Sequence, residues 1–253
     1  MPEPEKLRRF LVRADCRVGN VVTLEPEQSH HLTTVLRVRI GDLVTLFTGR
    51  GQEFIARVEV ADAAAAQVRI MERFAQSGRP QRRLALAFAP PPAQRADFLI
   101  EKATELGVSS LHPVICERLQ GFRGATAGRR TERWQRKAKD AARQSGRTTV
   151  PEVRAPILLE NFLRETEERL LLIGHTGEAR PLWQVLSEAD PGRASACAVV
   201  GPAGGFTRRE MEMAQGAGFQ PVSIAPHVLR VETAAVCLLA AVVVWLDGSS
   251  SVG

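Results

Sequence analysis

"ACAVVGPAGGFTRREMEMAQGAGFQPVSIA", residues 196–225, decides the architecture of this chain. An apolar run of strand length ends in three glycines and a proline. A helical pattern follows, and a second short apolar run closes the stretch. Strand, loop, helix, strand is the unit from which parallel sheets with covering helices are built. Thr207 followed by Glu210 has the spacing of a capping box and marks the helix start. The loop Gly201-Pro202-Ala203-Gly204-Gly205 is neither G-x-G-x-x-G nor G-x-x-x-x-G-K-[ST], and it has no lysine to reach a phosphate. Its glycines would let a flat ring approach the backbone closely, because no Cβ intervenes. Taken singly, the loop reads better as a tight turn from strand to helix; it is the three loops together that point to a site.

The same rhythm extends outward from that stretch. Apolar runs at 84–89, 108–115, 169–174, 196–201 and 221–225 read as strands. Residues 94–106 repeat apolar side chains at helical spacing and end at Gly107, where a C-cap glycine belongs. Residues 131–146 form a second helix, with Trp134, Ala138, Ala141 and Ala142 on one face. A last, almost wholly apolar helix runs from about Val231 to Trp245. Such alternation predicts an α/β doubly wound parallel sheet, with ligands bound beyond the carboxyl ends of the strands. Three loops qualify: 174–179, 201–206 and 225–234. In the third, Arg230 and Glu232 precede the apolar helix. They read either as a helix-start charge arrangement or as a fixed cationic fork beside a carboxylate that does chemistry.

Before residue 75 the pattern differs. Runs at 20–24, 43–47, 53–60 and 66–72 alternate with β-branched residues, with turn chemistry at Gly41-Asp42 and 48–52. One helical patch, 27–38, interrupts them. This predicts a small β-barrel domain over 1–74, a polar linker at 75–83 and the α/β domain over 84–253.

Composition narrows the function. The 253 residues are 44% hydrophobic and 25% charged, as in globular proteins. The longest uncharged apolar stretch, 233–246, is short for a bilayer span and is expected to be a buried helix rather than a membrane anchor. No signal-peptide pattern opens the chain, so a cytoplasmic location is expected. Cysteines 16, 116, 197 and 237 form no C-x-x-C pair and are expected to be reduced thiols. Neither H-E-x-x-H nor G-x-S-x-G occurs, so no metal and no serine nucleophile are expected. The net charge of +6 is unevenly spread: residues 81–150 carry 14 basic and 6 acidic side chains, residues 151–253 carry 8 and 12. The basic stretch 118–147 is either a solvated helix face in an arginine-rich chain or a footprint for a phosphate backbone.

At this point the sequence resembles a known family, the RsmE-type methyltransferases of 16S ribosomal RNA in the SPOUT superfamily. Residues 199–235 look like its signature G-P-E-G-G-[FL]…E…G-F…L-G-x-x-[IV]-L-R-T-E-T-A-A. The blocks at 8–12, 30–49, 101–119 and 133–153 look like matching blocks in the same order. The departures are Ala203, Ala225, His227 and Val231, which replace Glu, Gly, Arg and Thr of the signature.

The resemblance implies a PUA-like β-barrel and a SPOUT domain whose parallel sheet is knotted, which connection rules alone would not offer. It implies a homodimer and S-adenosylmethionine as methyl donor. Matching cofactor positions are His175, Val200, Gly201, Gly204, Gly205, Ile224, Val228, Leu229, Thr233 and Ala234. It also implies methylation of N3 of a uridine in helix 44 at the decoding region of the small subunit. Arg230 would then stabilise developing negative charge, and Glu232 would orient it or help remove the proton. RNA contacts are expected from Arg9, Arg37, Arg133, Arg136, Lys137 and Arg147. Rival readings are a non-catalytic RNA-binding or ribosome-assembly protein that keeps the fold, a SPOUT enzyme with another RNA target, and a dinucleotide oxidoreductase. The missing G-x-G-x-x-G argues against the last.

Overall fold

The computed structural model describes residues 7–13, 16–74, 83–120, 122, 125–190 and 195–248; the expected linker, apart from Arg83, lies outside them. Two compact units result, one of Met1–Pro80 with Ala142–Val150, the other of Gln81–Ala141 with Pro151–Gly253. A single cut between 74 and 84 does not contain this return of residues 142–150 to the N-terminal unit.

The N-terminal unit runs β1 (Arg9–Leu11), β2 (Val21–Thr23), α1 (Pro26–His30), β3 (Leu43–Phe47), β4 (Glu53–Val60) and β5 (Gln67–Phe74). Its sheet has the order β1-β3-β4-β5-β2, with β1 parallel to β3 and the other neighbours antiparallel. Pro26 in the first turn presets the α1 backbone. One π turn, His31–Val35, follows, and the chain leaves it at Arg37 with φ 53°. The helical patch read from sequence therefore ends earlier than expected, and its second half is wound wider than an α-helix. Phe10, Leu32, Leu46, Phe54, Val68 and Ile70 form the core. The returning segment is tied to the β3–β4 turn by Gly51 N–H to Thr148 O (3.0 Å) and Val150 N–H to Gly49 O (3.0 Å).

The C-terminal unit begins with β6 (Arg83–Phe88), α2 (Ala93–Glu105), β7 (Ser110–Ile115), α3 (Ala125–Gln144), β8 (Glu152–Val153) and β9 (Ile157–Leu158). It continues through α4 (Leu159–Glu165), β10 (Leu170–Gly174), β11 (Arg180–Pro181), α5 (Leu182–Glu188) and β12 (Ser195–Val200). It ends with α6 (Arg208–Gly216), β13 (Gln220–Ser223) and α7 (Val231–Gly248). The strands are parallel in the order β11-β13-β10-β12-β6-β7-β8, with β9 on β7. β12 is laid between β10 and β6, two strands already in place. An ordinary doubly wound sheet grows outward, so this insertion corrects the order expected from alternation alone.

Helices cover both faces. Ala85, Ala87 and Val199 pack with Phe162 and Leu163 of α4 and Met211 and Ala214 of α6. On the opposite face, alternate residues such as Phe88 meet Trp134 of α3, ring centroids 5.7 Å apart. α7 buries Ala235, Leu238, Leu239, Val242 and Leu246, a stripe at helical spacing, and packs against α2, α5, β6 and β12. By length and composition α7 could cross a membrane. Its buried stripe makes it the core helix expected from sequence, with each buried leucine stabilising the fold by about 2 kcal/mol.

Candidate functional site

The carboxyl ends of β10, β12 and β13 open into a cavity of about 360 Å³. It is lined by segments 174–176, 200–206 and 224–229, with Val231 and Ala234 at the start of α7. These are the three loops singled out in the sequence. Of the ten expected cofactor positions, His175, Val200, Gly201, Gly204, Gly205, Ile224, Val228, Leu229 and Ala234 line the cavity. Thr233 does not; it is exposed on the first turn of α7.

The glycines have reasons of their own. A Cβ on Gly201 would lie 2.7 Å from Cε2 of Phe206, whose ring is packed into the core beneath the loop. Gly205 has φ +70°, a left-handed conformation that side chains resist, and its N–H donates to Pro202 O at 2.8 Å. Gly201 is thus required by packing against Phe206, and Gly205 by its backbone conformation. The capping box is present: Glu210 N–H donates to Thr207 Oγ1 (3.2 Å) and Thr207 N–H to Glu210 Oε2 (2.7 Å). Glu210 is 2% exposed, and its second oxygen accepts from Glu117 N–H at 2.8 Å. The buried carboxylate therefore ties the glycine loop to the segment after β7.

Arg230 and Glu232 sit at the rim without lining the cavity. The Arg230 side chain is exposed, and its carbonyl accepts from Ala234 N–H (2.8 Å) to open α7. Glu232 is 8% exposed and faces α2, with Oε1 3.7 Å from Nε of Arg95. Its Oε2 is buried with no hydrogen-bond partner. The expectation that Glu232 orients Arg230 therefore fails to match this arrangement: its cationic neighbour is Arg95, which the sequence reading missed. Arg95 stands in the first turn of α2, and no local pattern announces a partner so far along the chain.

The expected RNA-contacting residues divide by environment. In the N-terminal unit the Arg9 side chain is 8% exposed. It pairs with Glu53, lies over the Phe47 ring at 5.1 Å and donates to Arg147 O at 3.2 Å. Arg147 is also largely enclosed; burial pushes its guanidinium down to about 10, and it donates to Thr149 Oγ1. These two arginines are internal struts, which corrects their expected role as phosphate contacts. In the C-terminal unit Arg133 pairs with Asp97 and Lys137 with Glu101 (2.6 Å), which binds α3 to α2. Lys137 holds the Glu101 carboxyl below its ordinary range, with Lys102 adding to the effect. Arg37 and Arg136 are exposed, with no carboxylate partner among the described residues.

Residues 78–243 match the model of an RNA methyltransferase domain, and residues 24–71 that of an RNA methyltransferase PUA domain. Ribosomal RNA small subunit methyltransferase E of Synechocystis is 30% identical over 94% of this chain and 78% of its own length. Among solved structures, a methyltransferase of Legionella pneumophila with bound SAM is 31% identical, with a TM-score of 0.86 over 94% of this chain and 97% of that one. Ribosomal RNA small subunit methyltransferase E of Neisseria gonorrhoeae, bound to S-adenosyl methionine, is 33% identical, with a TM-score of 0.83 over 93% and 96%. A parallel sheet with an inserted strand, a glycine loop at its carboxyl edge and an accompanying PUA domain thus have one common source: the chain belongs to the ribosomal RNA small subunit methyltransferase E family, a family of RNA methyltransferases.

Proposed function

We propose that this chain transfers a methyl group from S-adenosylmethionine to N3 of a uridine in helix 44 of 16S ribosomal RNA, at the decoding region. The observation that carries the reading is the cavity at the ends of β10, β12 and β13. Its volume is that of a small-molecule site. Val200, Ile224, Val228 and Leu229 offer an apolar bed for an adenine ring, and the loop backbones offer donors and acceptors. No lysine or arginine is among the lining residues, so the cavity suits a donor without phosphates and not a nucleoside triphosphate. When bound, that donor supplies an electrophilic methyl on its sulfonium.

The chain's own residues do the rest. His175, the glycine loop and the 224–229 segment hold the donor, and the amino end of α7 adds its unpaired N–H groups at the rim. Thr233, exposed on the first turn of α7, lies outside the cavity lining. N3 of uridine must lose a proton before it can attack. Glu232 takes that proton once its side chain, which faces α2 with Oε2 buried, turns to the rim, and Arg230 stabilises the charge that spreads to the flanking carbonyl oxygens. The uridine must leave its stack to reach the rim. The enzyme acts in the cytoplasm as a homodimer with a knotted C-terminal unit. Insertion of β12 between β10 and β6 supports the knot, and the outward apolar face of α7, with Val244 71% exposed, supports a second copy as partner.

Mass spectrometry of nucleosides from small-subunit RNA tests the reading. A strain lacking the gene should lose N3-methyluridine, the intact gene should restore it, and the Arg230→Ala version should not. Unchanged N3-methyluridine in the deletion strain would refute it.

A further inference from the structure

The structure assigns to Arg118 the part of a positioning residue that holds the cofactor loop in its binding shape. This rests on the reading of the glycine-lined cavity as the S-adenosylmethionine site. Arg118 follows β7, on a segment that does not line the cavity. Its side chain crosses to the outer side of the loop. Nη1 donates to Gly204 O at 2.8 Å and reaches Phe206 O at 3.4 Å. Its stem lies along Gly204: Cβ and Cδ are each 3.6 Å from where a Cβ on that glycine would stand.

These contacts complete a set. The peptide joining Gly204 to Gly205 has its carbonyl on Arg118 and its N–H on Pro202 O (2.8 Å). The peptide joining Phe206 to Thr207 has its carbonyl on Arg118 and its N–H on Glu210 Oε2 (2.7 Å). The residue beside Arg118, Glu117, is anchored through its own N–H to Glu210 Oε1 (2.8 Å). One buried carboxylate thus fixes the base of the segment, and one guanidinium at its tip fixes the loop. Both peptide planes flanking Gly205 and Phe206 are tied at each end, although Gly205, with φ +70°, is the residue there most free to rotate.

Position separates this part from a structural one. Arg118 is exposed and makes no ion pair among the described residues, so it adds little to global stability. Its acceptors are carbonyls of the cavity wall. Removing it leaves the sheet and α6 intact but frees the loop to sample other shapes, and the cofactor must then order that loop on binding.

Calorimetric titration with S-adenosylmethionine and thermal melting of three full-length variants provide the test. Arg118→Met keeps the stem over Gly204 and removes the donor; it should weaken binding roughly ten-fold to a hundred-fold, the range for a charge-assisted hydrogen bond. Its melting midpoint should stay close to that of the parent. Arg118→Lys, which keeps a cationic donor, should recover part of the loss. Ala234→Trp fills the cavity and should abolish binding. Parent-like affinity in Arg118→Met beside no binding in Ala234→Trp overturns the role of Arg118 alone. Retained binding in Ala234→Trp overturns the cavity as the cofactor site, and the role of Arg118 with it. A melting midpoint lowered equally in the Met and Lys variants, with no recovery of affinity by Lys, makes Arg118 a structural prop and overturns the inference.

Discussion

Arg230 and Glu232 stand two residues apart, yet the first turn of α7 sends one to solvent and the other toward α2. Their roles therefore separate by substitution. Arg230→Ala should lower kcat about 10²–10³-fold, the usual cost of losing one transition-state charge partner, with S-adenosylmethionine affinity little changed. Single-turnover methylation of small-subunit RNA, alongside calorimetry, reads both. His112 gives a second prediction at this scale. Burial, with Arg154 nearby, pushes its imidazole down to about 4 from the ordinary 6.5. The folded chain thus binds this proton less readily than the unfolded chain. The associated stability is complete above pH 6.5 and is lost as pH falls from 6.5 toward 4, with a slope approaching about 1.4 kcal/mol per pH unit. Urea unfolding between pH 7 and 4.5 should show this slope, and His112→Gln should flatten it by one proton. Residue identities in the site were largely legible: nine of ten expected positions line the cavity. Thr233 was not, because a family signature records which residues recur and not which side of a helical turn they occupy. Arg118 and Arg95 were silent for another reason. Their partners lie in loops and helices that only the folded sheet brings near.

At the scale of elements, long runs with a clear period were readable and short ones were not. α2, α7 and the central strands fall within a few residues of their expected bounds, because each buries a stripe or run that the pattern displays. β8, β9 and β11 are two residues each, and α4 and α5 seven, too short for a period to register. α3 begins at Ala125, six residues before the start expected from sequence. The reason lies in packing around Trp134, which is 1% exposed. Its ring stacks on Phe122 at 5.7 Å, meets Phe88 edge-on, and has the Arg130 guanidinium 5.0 Å above it. Arg130 also donates to Pro91 O at 2.8 Å, so the first half of α3 is fastened to the loop after β6. Trp134→Ala removes the centre of this stack and should cost about 3–5 kcal/mol, seen as a lower urea midpoint at unchanged slope.

At the scale of the whole molecule, the basic excess of residues 81–150 was evident from sequence, but its use was not, since counting charges does not reveal their partners. The fold divides the basic residues. Arg9 and Arg147 are spent inside the N-terminal unit, and Arg133 and Lys137 on the acidic face of α2. Arg37 and Arg136 remain exposed to solvent and available to a polyanion. This division makes a quantitative claim about salt. Each side chain that neutralises a phosphate on binding releases counterions and steepens the fall of log K with log salt concentration by roughly 0.7–0.9. Arg136→Gln and Arg37→Gln should each make that slope shallower by about this amount, and weaken binding of a ribosomal RNA fragment at low salt without altering the melting midpoint. Arg133→Gln should behave oppositely, leaving the slope nearly intact while loosening α3 from α2 and exposing the Asp97 carboxylate, whose Oδ1 is already buried without a partner. Filter binding across 50 to 300 mM salt, repeated for each variant, reads the slopes directly. If Arg133→Gln changes the slope as much as Arg136→Gln does, its pairing with Asp97 breaks on RNA binding, and α3 meets the RNA with its whole basic face.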